Sequence, residues 1–119
     1  MIATLGFTVV TLAACTPKPN GPEPTAEQFF AALVTGDTAA AAALSDRPAD
    51  ARQALNNAWA GLQATHLDAQ ILSSKYAGDT GSVTYRYTWH LPKDRTWTYD
   101  GQLNLVRNEG RWEVRWSAT

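Results

Sequence analysis

The chain has 119 residues, with 10 Lys or Arg against 11 Asp or Glu and a formal net charge of −1. Neither sign forms a run, which argues against nucleic acid as a partner. One cysteine and two histidines exclude an internal disulfide and leave too few ligands for a Cys/His metal site, so no metal and no cofactor is expected.

The first segment is apolar. Ile2 to Ala14 carries no charged side chain and, at 13 residues, is too short for a membrane-crossing helix, which needs about 20. It suits the apolar core of a secretory signal ending in small residues, here residues 1–14. The run Leu12-Ala13-Ala14-Cys15 resembles the bacterial lipobox. That resemblance implies cleavage before Cys15 and lipid on its thiol. Several acyl chains would then hold the protein on the outer side of the cytoplasmic membrane, each buried methylene contributing about 0.8 kcal/mol. Residues 15–24 follow as a tether, with four of the six prolines in the chain. Such a segment is semi-rigid and extended, and at about 3 Å per residue it reaches roughly 25 Å.

Residues 25–119 are enough for one core and not for two. Their composition divides: 25–64 is rich in alanine, whereas 65–117 holds four of the five tryptophans and all four tyrosines. Helices followed by strands predict an α+β domain. Thr25-Ala26-Glu27-Gln28 has the form of a capping box, Phe29, Phe30, Leu33 and Val34 follow at helical spacing, and Gly36 ends the helix. Asp37 caps a short helix over Ala39 to Leu44. A third begins at Pro48, with Ala51, Leu55, Ala58, Trp59 and Leu62 on one face.

The second half alternates. From Ser82 to Leu91, Val83, Tyr85, Tyr87, Trp89 and Leu91 point one way, and Thr84, Arg86, Thr88 and His90 the other. Pro92-Lys93-Asp94 turns the chain, and Arg95 to Arg107 returns. Pairing Leu91 with Arg95 sets Trp89 against Trp97, Tyr87 against Tyr99, Tyr85 over Gly101 and Val83 against Leu103. On the polar face it sets Thr88 against Thr98 and Arg86 against Asp100, so opposite charges meet without adjustment. An aromatic ring opposite a strand glycine fills the gap that glycine leaves. Trp97 is expected on the buried face, where Trp97→Ala would cost about 3–5 kcal/mol. The Asn108-Glu109-Gly110 turn opens a last hairpin, with Leu105 facing Val114 and Leu103 facing Trp116. In the strand before Ser82 the apolar phase breaks at Ile71-Leu72, which predicts a bulge.

This order of segments resembles the cone of the nuclear-transport-factor-2-like (NTF2-like) fold, about three helices on a bent antiparallel sheet. The stretch Asp94-Arg95-Thr96-Trp97-Thr98-Tyr99, with Arg111-Trp112 and Val114-Arg115-Trp116, is similar to the N-terminal domain of class B penicillin-binding proteins of the MecA type, as in actinobacterial lipoproteins. The resemblance implies a spacer or docking domain without chemistry of its own, in a polypeptide whose downstream transpeptidase domain cross-links peptidoglycan. Arg86, His90 and Asp100, on the polar face, are the candidate docking residues.

Transpeptidase chemistry needs a Ser-x-x-Lys nucleophile. None of Ser45, Ser73, Ser74, Ser82 and Ser117 has lysine three positions on, so no catalytic residue is assigned. The alternative is a stand-alone lipoprotein whose cone binds, isomerises or hydrates a small apolar ligand, as ketosteroid isomerase-like members of the fold do. Its candidates are His66, Asp68 and His90 as acid or base, with Tyr85, Tyr87 and Tyr99 lining the pocket; His66 lies at an element junction, where a solvated loop position is expected. Glycan binding on Trp89 and Trp97 is a third class, but both fall on the apolar face, where core packing is the simpler role.

Overall fold

A computed structural model describes residues 21–116. Cys15, the apolar segment 1–14 and the tether up to residue 20 lie outside the described residues. Three helices come first: α1 (Glu23–Val34), α2 (Thr38–Ala42) and α3 (Pro48–Leu62). Four strands follow: β1 (His66–Ala77), β2 (Thr80–Leu91), β3 (Arg95–Asn108) and β4 (Arg111–Val114). The strands form one antiparallel sheet in the order β1-β2-β3-β4. Among the described residues no helix is long and apolar enough to cross a membrane.

Helix α1 starts two residues ahead of the capping box. Pro22 is its N-cap, Glu23 and Pro24 form its first turn, and Thr25 lies inside it without serving as a cap. The reason is tertiary. The Pro22 ring packs so closely on Gly81 that a Cβ there would come within 2.8 Å of Pro22 Cγ, and Ser74 Oγ donates to Glu23 Oε1 at 2.8 Å. The end of the proline-rich segment is thereby seated on the β1–β2 hairpin. The helix buries Ala26, Phe29, Phe30 and Leu33, the i, i+3, i+4, i+7 stripe of one face. It ends as expected at Gly36, in the left-handed region at φ 80°. The Gly36 N–H donates to Leu33 O and the Asp37 N–H to Ala32 O, both at 3.0 Å, which satisfies two otherwise orphaned carbonyls. Asp37 Oδ1 then accepts from Ala40 N at 3.0 Å and starts α2. Pro48 opens α3, whose Ala51 is fully buried and whose Trp59 stands edge-on to Trp89 at 5.2 Å.

The β2–β3 ladder has the predicted register at every pair from Val83–Leu103 to Leu91–Arg95. In β1 the register shifts between Ile71 and Ser73, where the bulge was predicted, and Leu72 is left partly exposed. The inner face buries Leu67, Val83, Tyr87, Trp89, Leu103, Leu105 and Val114 against α1 and its neighbours. Tyr85 covers Gly101 so tightly that a Cβ there would collide with the phenol ring.

The expectations for two tryptophans also need correction. Trp97 has the predicted partner but is 48% exposed, because it lies at the far end of the hairpin and rests on Tyr99 rather than on a helix. Trp116 does not pair with Leu103, since β4 stops at Val114. The connection between α2 and α3 captures the chain there. Val114 N donates to Leu44 O at 2.8 Å, Asp46 N donates to Val114 O at 2.9 Å, and Trp116 N donates to Asp46 Oδ1 at 2.8 Å. The two bonds at Val114 also pair the end of the outer edge of β4.

Candidate functional site

Because side chains alternate along a strand, the sheet separates the chemistry of the chain into two faces. The inner face carries the tyrosines. Tyr85, Tyr87 and Tyr99 line a cavity of about 430 Å³ together with Phe29, Leu55, Trp89, Gln102 and Trp116. Tyr85 and Tyr87 lie tilted with ring centroids 4.2 Å apart, and Tyr87 and Tyr99 are 5.8 Å apart. Trp89 Nε1 donates to the Tyr99 hydroxyl at 3.2 Å. Burial, and then the neighbouring Tyr99 phenol, pushes the Tyr85 hydroxyl above its ordinary range. Tyr87 is raised more strongly, by burial first and then by Tyr85 and Tyr99. Both therefore stay neutral at physiological pH and can offer only hydrogen bonds.

Acid–base work in this cavity would need a group that titrates near neutrality. Among the described residues its lining contains no carboxylate and no imidazole. The acid–base candidates of the sequence, His66, Asp68 and His90, are together, but on the opposite face of the sheet. The structure does not assemble them with the tyrosines. Trp89 is core, as the apolar alternation requires, while Trp97 is open to solvent beside Tyr99.

The outer face carries a connected row of polar groups. Arg86 Nε donates to Asp100 Oδ1 at 2.7 Å and Arg86 Nη2 to Asp100 Oδ2 at 3.1 Å, a forked pair across the ladder. Thr88 and Thr98 share a hydrogen bond of 3.1 Å beside it. His90 Nε2 lies 2.8 Å from Asp68 Oδ2, and His66 Nε2 lies 2.9 Å from Asp68 Oδ1. His66 is not a loop residue; it is the first residue of β1 and pairs directly with His90. Of the predicted docking residues, Arg86 and Asp100 hold each other, and His90 turns instead to Asp68. The spacing His66-Leu67-Asp68 carried the signal for this, since positions two apart share a strand face.

Hydrogen bonds from His90 and then His66 hold the Asp68 carboxyl below its usual range, and those from Arg86 do the same to Asp100. A depressed folded value contributes stability above the ordinary carboxylate range, near pH 4, and loses it as pH falls through the folded value. Asp100→Asn should therefore lower the thermal midpoint by a small, constant amount from neutral pH down to about pH 4. Below that the difference from wild type should close. A gap that closed near pH 6–7 would show that a histidine, not this carboxylate, is responsible.

Residues 21–119 match the family described as the NTF2-like N-terminal transpeptidase domain. The chain belongs to that family. No curated protein matches the chain. Solved structures with the same fold include an NTF2-like protein of Campylobacter jejuni provisionally named as a transpeptidase, at 18% identity and TM-score 0.52, covering 79% of this chain and 96% of that one. A SEC-C motif protein of Rhodopseudomonas palustris, at 20% identity and TM-score 0.62, covers 87% and 82%. Aln2 of a Streptomyces species, at 13% identity and TM-score 0.64, covers 83% and 88%. At these identities the structures establish an NTF2-like fold, three helices on a four-stranded antiparallel sheet. The NTF2-like N-terminal transpeptidase domain is related to penicillin-binding proteins, and its own residues here present an aromatic cavity on one face and a row of hydrogen-bonded polar groups on the other.

Proposed function

We propose that this domain is a membrane-tethered spacer and docking unit of a penicillin-binding lipoprotein, whose downstream transpeptidase domain cross-links peptidoglycan. The observation that carries the proposal is the family match across residues 21–119. The serines of the folded domain support it, because none of Ser45, Ser73, Ser74 and Ser82 heads a Ser-x-x-Lys motif and the bond-forming chemistry then belongs to another domain. The tether rests on Leu12-Ala13-Ala14-Cys15 and the prolines that follow. The docking surface is the outer face with Arg86, His90 and Asp100. These residues stand on paired strands, so the groups they offer a partner are held in place before it arrives.

The tether has a direct test. Expressed with a complete signal, the protein should partition into detergent and carry acyl mass at Cys15. Cys15→Ser should abolish both. A serine variant that is processed and anchored like wild type contradicts the lipoprotein reading.

The inner cavity favours a second reading, a stand-alone lipoprotein that binds a small apolar ligand between Tyr85, Tyr87, Tyr99 and Trp89. The neutral phenols suit binding better than proton transfer.

A further inference from the structure

We propose that His66, Asp68 and His90 form a binding site for one divalent late first-row transition-metal ion of the Zn2+ class, on the outer face of the β1–β2 hairpin. The counts of histidine and cysteine alone argued against a metal; the third ligand is a carboxylate, which only the strand register reveals. His66 and His90 are direct cross-strand partners, and Asp68 lies two residues beyond His66 on the same face. The ladder thus fixes the three Cα positions before any ion binds. Thr65 strengthens this corner, its N–H and hydroxyl both donating to His90 O, at 2.9 and 3.2 Å.

The side chains already converge. Both imidazoles turn Nε2 toward one carboxylate, at 2.9 and 2.8 Å, and one donor atom from each residue lies within 4.8 Å of the other two. A tetrahedral ion about 2.0–2.2 Å from each donor needs them roughly 3.4 Å apart. Side-chain rotation closes the difference, since His66, Asp68 and His90 are 57%, 61% and 38% exposed and free to adjust. Two neutral imidazoles with one carboxylate suit Zn2+, Co2+, Ni2+ or Cu2+ and fit poorly to Mg2+ or Ca2+, which prefer all-oxygen shells. Water fills the remaining position, as in other three-ligand zinc sites. Without the ion, Asp68 bridges the two rings as a hydrogen-bond acceptor; with it, the ion replaces those bonds and clips β1 to β2. The neighbouring cation, Arg86, has its charge matched by Asp100.

The test is calorimetric titration of the untagged full chain with ZnCl2 near pH 7, in a non-chelating buffer. The chain carries Cys15→Ser, so its one thiol cannot compete. One ion should bind per chain with micromolar affinity. Asp68→Asn and His90→Gln, which keep polar surface groups, should each weaken binding roughly tenfold or more. Their thermal midpoints in EDTA should stay near that of the parent, which shows they are folded. Zn2+ should also raise the midpoint of the parent chain and not that of the variants. The proposal is overturned if no binding is detected at submillimolar Zn2+, or if Asp68→Asn and His90→Gln bind as tightly as the parent.

Discussion

Trp89→Ala is expected to destabilise the domain by about 3–5 kcal/mol, the range for deleting a buried tryptophan. Trp97→Ala, directly across the ladder, should cost about 1 kcal/mol, the scale of one aromatic pair contact. The two residues share a sheet face and a cross-strand pairing. They differ in what lies above them. Trp89 is 4% exposed, with Trp59 of α3 edge-on to its ring and Tyr87 at 6.2 Å. Trp97 meets Tyr99 at 4.6 Å and is otherwise nearly half open. Urea unfolding of both variants distinguishes them, because the slope should stay constant while the midpoints separate. Equal losses would mean that the far end of the hairpin is covered.

Gly101→Val is expected to cost about 1–3 kcal/mol, as overpacking in a filled site does. A side chain at position 101 meets the Tyr85 ring, which cannot retreat freely: it lies against Tyr87 at 4.2 Å and Phe30 at 5.5 Å. Placing Tyr85→Ala in the same chain removes the obstacle. The double variant should therefore be more stable than the sum of the two single losses predicts. Strict additivity would show that the ring and the glycine do not meet.

These two cases also separate what could be read from the sequence and what could not. The β2–β3 register was legible in full, because the alternation from Val83 to Leu91 and the turn at Pro92 leave one pairing that matches Arg86 with Asp100 and Tyr85 with Gly101. The bulge at Ile71-Leu72 was legible as a break in phase. Alternation assigns a residue to a face, however, and not to a depth. It placed Trp97 on the inner side without showing that the ring of Trp59 in α3 stands on Trp89 while Trp97 stays nearly half exposed. The start of α1 was missed for a related reason: a local capping pattern at Thr25 lost to a contact between Pro22 and Gly81, far away in sequence. The end of β4 depends on hydrogen bonds to Leu44 and Asp46, which no local pattern encodes. At the outer face, Arg86 and Asp100 were found through charge, whereas the partnership of His90 with Asp68 was hidden because His66 reads as a loop position at an element junction, although β1 begins there and pairs it with His90.

The proposed division of labour, with an N-terminal domain that does no chemistry and a transpeptidase domain downstream in the same polypeptide, is tested most directly by covalent labelling with a fluorescent penicillin. The protein made from the full reading frame should take the label on the serine of a Ser-x-x-Lys motif downstream of Thr119, and the 119-residue chain by itself should take none. A label on the chain itself, or a full reading frame that takes no label, would contradict it.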